Sequence, residues 1–129
     1  MQEANNVLIA VYGTLRKGER NHHYLKTADS IRACVFPGTL YDTGYGYPTV
    51  ILEGDKPVTA ELAEISLEAW RQVDRLEGYP SLYDRRLIDV VCGEETVQAW
   101  VYIMHRLPPQ ATLIASGDWK EHRTRVRNI

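Results

Sequence analysis

The sequence predicts an α+β domain built on a curled or barrel-like, mostly antiparallel sheet, with a helix covering one side. Strand-like segments recur about six times along 129 residues and are mostly joined by hairpin-length turns. Only one stretch switches to a sustained helical period. The length suits a single domain, residues 1–129, and the 44% hydrophobic share can fill one core.

Val7 to Tyr12 is a continuous apolar run, the pattern of a strand buried on both faces. Ser30 to Thr43 carries Ile31, Cys34 and Val35, then a Pro37-Gly38 break, then Thr39-Leu40-Tyr41. This predicts a strand with a bend. Asp42 to Pro48, "DTGYGYP", is a loop by composition. Thr49 to Leu52 is a short strand, and "EGDKP" after it is a hairpin-like turn. From Val58 to Ile65 the apolar Val58, Ala60, Leu62 and Ile65 alternate imperfectly with Thr59, Glu61 and Glu64, which predicts a strand.

Ser66 to Glu77 changes period. Ser66 is a suitable N-cap, Glu68 sits in the first turn, and Leu67, Trp70, Val73 and Leu76 recur at helical spacing. Gly78 suits the position after the last turn, and Pro80 forbids continuation. Leu82 to Cys92 and Thr96 to Met104 read as strands around Gly93-Glu94-Glu95. Ala111 to Trp119 is expected to hold one or two helical turns, and the tail from Lys120 to be exposed and frayed.

Composition narrows the function. Fifteen basic against 17 acidic residues give a net charge of −2, which argues against a dedicated nucleic-acid or anionic-membrane surface. Cys34 and Cys92 are far apart inside apolar stretches and read as small, reduced core residues of a cytoplasmic protein. No basic-then-apolar start precedes Val7, and no apolar run is long enough to span a bilayer, so neither signal peptide nor membrane anchor is expected. Adjacent His22 and His23 diverge on any regular element and have no third ligand near in sequence, so no metal site is expected there. The tail "HRTRVR" reads as a solvated terminus.

Two places break local rules. The first strand ends on Tyr12-Gly13-Thr14-Leu15 before the chain turns polar; this is either an ordinary loop or a backbone cradle for something small. Glu77 falls on the edge of the helix's apolar stripe and at its last position, where the dipole disfavours a carboxylate. Burial and dipole would both raise its pKa toward that of a general base. Equally, the side chain could swing to solvent or pair with Arg85 or Arg86. Tyr83 could donate a hydrogen bond in a pocket or simply pack. Glu61 reads as an outward strand residue or a buried acid bonded to backbone, and Arg16 as an exposed arginine.

"VYGTLRKG" at residues 11–18 and Val73-Asp74-Arg75-Leu76-Glu77-Gly78-Tyr79-Pro80-Ser81-Leu82-Tyr83-Asp84-Arg85 together resemble the γ-glutamyl cyclotransferase-like family. Gly46-Tyr47-Pro48 and Gly117-Asp118-Trp119 extend the resemblance over nearly the whole chain. It is nearest the small branch with γ-glutamylamine cyclotransferases and bacterial relatives of unassigned substrate. The resemblance implies a small, mixed but mostly antiparallel β-barrel flanked by helices, with a cavity at one end. It implies that Tyr12, Gly13, Thr14 and Leu15 hold substrate and that Glu77 is the catalytic acid/base. The implied reaction joins the α-amine of a γ-glutamyl group to its own side-chain carbonyl, releasing 5-oxoproline and an amine. Such a substrate brings its own nucleophile, so no cofactor is expected, and the sequence has no HExxH or G-x-S-x-G motif. The expected partner is a small γ-glutamyl molecule, with the protein a monomer or weak homodimer. One departure stands out: many relatives have glycine where this chain has Ala60, which would narrow the cavity if that backbone lines it. A non-catalytic metabolite-binding module of the same fold, or an amide hydrolase using water, are the alternatives.

Overall fold

The structure, a computed structural model, describes residues 6–127. Strand β1 (Val7–Val11) explains its unbroken apolar sequence by burying two faces. Val7, Ile9 and Val11 point into one hydrophobic cluster, while Leu8 and Ala10 point into another. Period-two alternation is present, but both phases are apolar because both sides are covered.

Five strands close into a barrel in the order β1, β5 (Pro57–Ile65), β2 (Ser30–Pro37), β6 (Tyr83–Cys92) and β7 (Glu95–Met104). The β1–β7 pairing that closes it is parallel, with Ile9 beside Trp100; the other four are antiparallel. Strand β5 also works on two sides. Val58, Ala60 and Leu62 fill the barrel, whereas Ala63 and Ile65 face the second cluster, which accounts for the imperfect alternation.

A small second sheet, β4 (Pro48–Ile51), β3 (Thr39–Asp42) and β8 (Thr112–Leu113), packs against the barrel. The Pro37-Gly38 break ends β2 and hands the chain from one sheet to the other. There are thus eight strands rather than about six, because the interrupted segment divides and β8 was not anticipated.

Helix α1 (Leu67–Glu77) follows its sequence signals. The Ser66 hydroxyl accepts from the Ala69 N–H at 3.1 Å. Gly78 takes φ 69°, a left-handed conformation open to glycine at little cost. Val73 is fully buried, and Ala69, Trp70 and Leu76 pack beside it against the outer face of β1, β5 and β7. A one-turn 3-10 helix, His22–Leu25, adds buried Leu25 to this cluster and was not foreseen.

The end of the chain corrects the sequence reading. Residues 111–118 form no helical turns: Thr112 and Leu113 pair with Asp42 and Tyr41, and only Trp119 is helical, as the first residue of the last helix. The supposed frayed tail is helix α2 (Trp119–Arg127). Asp118 caps it, its Oδ1 accepting from the N–H groups of Lys120 (3.0 Å) and Glu121 (3.3 Å). Trp119 is 2% exposed in the barrel cluster, and Arg123 forms a two-pronged pair with Glu19. One buried aromatic and a few ion pairs anchor a helix whose composition alone looks solvated. Among the described residues, no helix is long and apolar enough to cross a membrane.

Trp119→Ala should therefore lower the unfolding free energy by about 3 kcal/mol. Val126→Ala, on the exposed side of the same helix, should change it by less than about 0.5 kcal/mol in the same denaturant titration.

Candidate active site

Where β1 and β7 end and β6 begins, side chains from separate elements line one cavity that opens to solvent. Tyr12 closes β1, and the turn Gly13, Thr14, Leu15 follows it. Tyr83 opens β6, Tyr102 comes from β7, Tyr47 and Pro48 lead into β4, and Glu77 ends α1. Glu77, Tyr12, Gly13, Thr14, Leu15 and Tyr83, the residues singled out by sequence, are thus brought together. Tyr102 was missed. It lies in no motif; its only signal is sharing a strand face with Trp100 and Met104, turned toward the helix.

The turn after β1 offers donors. Its carbonyls are occupied: Gly13 O accepts from Arg16 N–H (3.1 Å), Thr14 O from Asn21 N–H (2.9 Å), and Leu15 O from His22 Nδ1 (2.9 Å). Among the described residues, no protein acceptor meets the N–H groups of Gly13, Thr14 or Leu15. Successive free N–H groups at a cavity wall suit an anion or a developing oxyanion. Gly13 is required for a reason the sequence did not reveal. A Cβ there would stand 2.7 Å from Cγ of Pro48, so the missing side chain admits the neighbouring loop.

The turn is pinned from behind. Arg16 is buried, not exposed as its type suggested: Nε pairs with Glu61 Oε2 at 3.2 Å and Nη1 with Asp118 Oδ1 at 2.9 Å. Glu61 also accepts from the Lys17 N–H at 2.9 Å, so it is a buried acid bonded to backbone and to a cation. Three stretches far apart in sequence thereby fix the residues after Leu15. Ala60 lies in the barrel core and does not line the cavity, so its methyl does not narrow it.

Glu77 forms no ion pair with Arg85 or Arg86. Arg86 pairs with Asp84, and Arg85 pairs with Asp74 at 3.6 Å. The Glu77 carboxyl sits under the helix end, its charge felt by Tyr12, Tyr47, Tyr83 and Tyr102. Burial pushes its pKa from the ordinary 4.5 up to about 7, because the charged form loses water and gains no donor. The tyrosine hydroxyls are held well above their usual range, burial first and the Glu77 charge among the further causes, so all stay protonated. Tyr83 donates to Pro48 O at 2.8 Å: it both packs and lines the pocket. One cavity thus carries a carboxyl that can take or give a proton near neutrality and a turn whose N–H groups meet no protein acceptor among the described residues.

Residues 9–121 match the family described as gamma-glutamyl cyclotransferase, AIG2-like. The chain is similar to the gamma-L-glutamyl-butirosin B gamma-glutamyl cyclotransferase of Niallia circulans, 38% identical over 120 residues, covering 88% of this chain and 75% of that one. Among solved structures it resembles YkqA from Bacillus subtilis, with a TM-score of 0.80 and 30% identity over 96% of this chain. It spans 43% of YkqA, less than half of that protein. An AIG2-like protein from Mus musculus superposes with a TM-score of 0.73 and 25% identity, covering 81% of each chain.

A carboxyl raised by burial binds its proton more tightly in the folded chain than in the unfolded one. Its contribution to stability is complete below about 4.5 and is lost as pH rises through about 7. Glu77→Gln stays neutral at every pH. It should be more stable than wild type at about pH 8, by roughly 1–3 kcal/mol in denaturant melts, and indistinguishable near pH 4. A variant less stable than wild type at pH 8 would count against this burial.

Proposed function

The chain belongs to the gamma-glutamyl cyclotransferase, AIG2-like family, and from that premise we propose that it cyclises a small γ-glutamyl amine or amide to 5-oxoproline. The observation that carries the reading is that one cavity is lined both by the half-buried Glu77, whose pKa burial pushes up to about 7, and by residues 13–15, whose N–H groups meet no protein acceptor among the described residues.

On this reading the glutamyl headgroup enters folded, its α-carboxylate or γ-carbonyl oxygen against the N–H groups. Among the described residues no lysine or arginine lines the cavity, so on this reading backbone donors carry that recognition. Glu77, ionised, accepts a proton from the α-ammonium. The freed amine attacks the γ-carbonyl carbon, closing a five-membered ring through a tetrahedral intermediate whose oxyanion the N–H groups stabilise. Glu77-H then gives its proton to the departing nitrogen as the old amide C–N bond breaks. The ring nitrogen still carries one proton too many; the carboxylate of Glu77 takes it and passes it to the released amine, which leaves as its ammonium form, so protons and electron pairs balance without a further reactant. Holding amine and carbonyl in attack geometry supplies up to about 7–11 kcal/mol of the barrier lowering. The proton shuttle adds roughly 10²–10⁴-fold. Tyr12, Tyr47, Tyr83 and Tyr102 exclude water, which favours the internal amine over hydrolysis.

The leaving amine lies toward the open side, where Tyr47 stacks against exposed Tyr45 with ring centroids 6.1 Å apart. The relative from Niallia circulans is named for gamma-L-glutamyl-butirosin B, which supports a γ-glutamyl headgroup as the part of the substrate the pocket holds.

The test is a mass-spectrometric product screen over γ-glutamyl amines, γ-glutamyl amino acids and glutathione. Lactam from at least one class is expected. Binding without lactam for every class would indicate a metabolite-binding module, and free glutamate would indicate hydrolysis by water. With a turned-over substrate, Glu77→Gln should lose about 10²–10⁴-fold in kcat with its circular dichroism unchanged. The wild-type kcat/KM should rise with pH through about 7, as Glu77 ionises.

A further inference from the structure

Cys34 and Cys92 are far apart in sequence, yet the fold sets them face to face. Strands β2 and β6 run antiparallel with Val35 opposite Val91, which puts Cys34 opposite Cys92. Val35 and Val91 are exposed on the outer face, so the adjoining position on each strand points inward. Both cysteines are accordingly buried in the barrel cluster, and both are free thiols. Directly opposed residues of an antiparallel pair have Cα atoms about 4.5–5.5 Å apart, inside the roughly 4.4–6.8 Å that a disulfide spans. The side chains are close enough that the Cys92 thiol joins burial, the larger cause, in pushing the Cys34 pKa up to about 12. Among the described residues no third His, Cys, Asp or Glu joins them, as a metal site would require.

The seam they share is thinly laced. Val35 with Val91 is its one registered pair, whereas β2 pairs with β5, and β6 with β7, along their whole lengths. Cys92 is the last residue of β6 and adjoins the exposed Gly93-Glu94 turn. The exposed Arg32–Glu95 ion pair, at 2.6 Å, crosses the same end of the seam. Opening a strand end at such a seam takes far less free energy than unfolding the barrel. A small oxidant therefore reaches Cys92 before Cys34.

We propose that Cys34 and Cys92 form a redox site, a dithiol that a hydroperoxide converts to a disulfide stapling β2 to β6. The Cys92 sulfur, as thiolate, attacks one peroxide oxygen; the O–O bond breaks, hydroxide leaves, and a sulfenic acid forms. The Cys34 sulfur then attacks the Cys92 sulfur. The S–O bond breaks, and with hydrogen peroxide the two thiol protons end in two waters. The thiols lose two electrons and the peroxide gains them. The bond closes the chain from residue 34 to residue 92, a loop that contains α1, and so removes freedom from the unfolded chain. Oxidation strengthens the barrel, and a small thiol reverses it by exchange. None of this depends on the role of Glu77.

The experiment treats the folded wild-type chain with hydrogen peroxide, then measures intact mass, free thiols in denaturant and melting temperature. Expected are the loss of two hydrogens with no added oxygen, both thiols gone, and a peptide linked through Cys34 and Cys92 in a non-reducing digest. The melting temperature should rise by at least about 5 °C and return to its starting value with dithiothreitol. In Cys34→Ala, dimedone should trap Cys92 as its sulfenic acid, with no rise in melting temperature. In Cys92→Ala, Cys34 should remain a free thiol over the same exposure. Should circular dichroism show either alanine variant unfolded, Cys34→Val or Cys92→Val carries the same expectation. Two thiols that stay intact until denaturant opens the fold overturn the proposal. So do a disulfide between two chains, and a linked product that melts no higher than the reduced chain. Dimedone capture at Cys34 in Cys92→Ala overturns the order of attack.

Discussion

A half-buried carboxyl group at the end of a helix, beside tyrosine rings and met by no protein hydrogen-bond donor among the described residues, opposes folding at neutral pH. The helix dipole adds to the penalty, since α1 ends with its carbonyls toward Glu77. Such a group persists only where its surroundings are over-determined. Around Glu77 they are: Ser66 and Gly78 fix the ends of α1, Val73 fastens its middle to the barrel, and Asp74 ties its last turn to β6 and β7. The helix cannot rotate the acid into water without uncovering this packing.

The barrel supplies the opposite bank by the same logic. Strand β1 is buried on both faces, so its end is a rigid point from which the 13–15 turn departs. Arg16, Glu61 and Asp118 form a buried ion cluster behind that turn. Buried pairs of this kind contribute little net stability but penalise every arrangement that breaks them, so they specify geometry more than they add strength. They make the N–H groups of the turn a fixed feature that no ligand has to organise.

Much of this was legible in the chain. The two-faced apolar run, the capped helix and the glycine at its end each follow from short-range rules, and they put residues 12–15 just past a strand end and Glu77 at a helix end, where the structure has them. Long-range partners were not legible. Arg16 looked like any surface arginine because nothing near it in sequence predicts Glu61 and Asp118. Helix α2 looked like a solvated tail because one buried tryptophan is all that distinguishes it. Tyr102 and Asp74 meet across 28 residues of sequence, and no local period encodes their bond. Gly13 has a second reason for its bareness that no local rule shows, the close approach of Pro48.

That contact bears on how such a molecule diversifies. With Gly13 pressed on Pro48, and Pro48 O held by the Tyr83 hydroxyl, the inner bank is a keystone that tolerates no added atom. Tyr45, 59% exposed at the outer lip, touches the site only through the ring of Tyr47. Descendants can therefore retool the lip for new cargo while the vault behind it stays frozen, so divergence accumulates where the amine departs rather than where the ring closes.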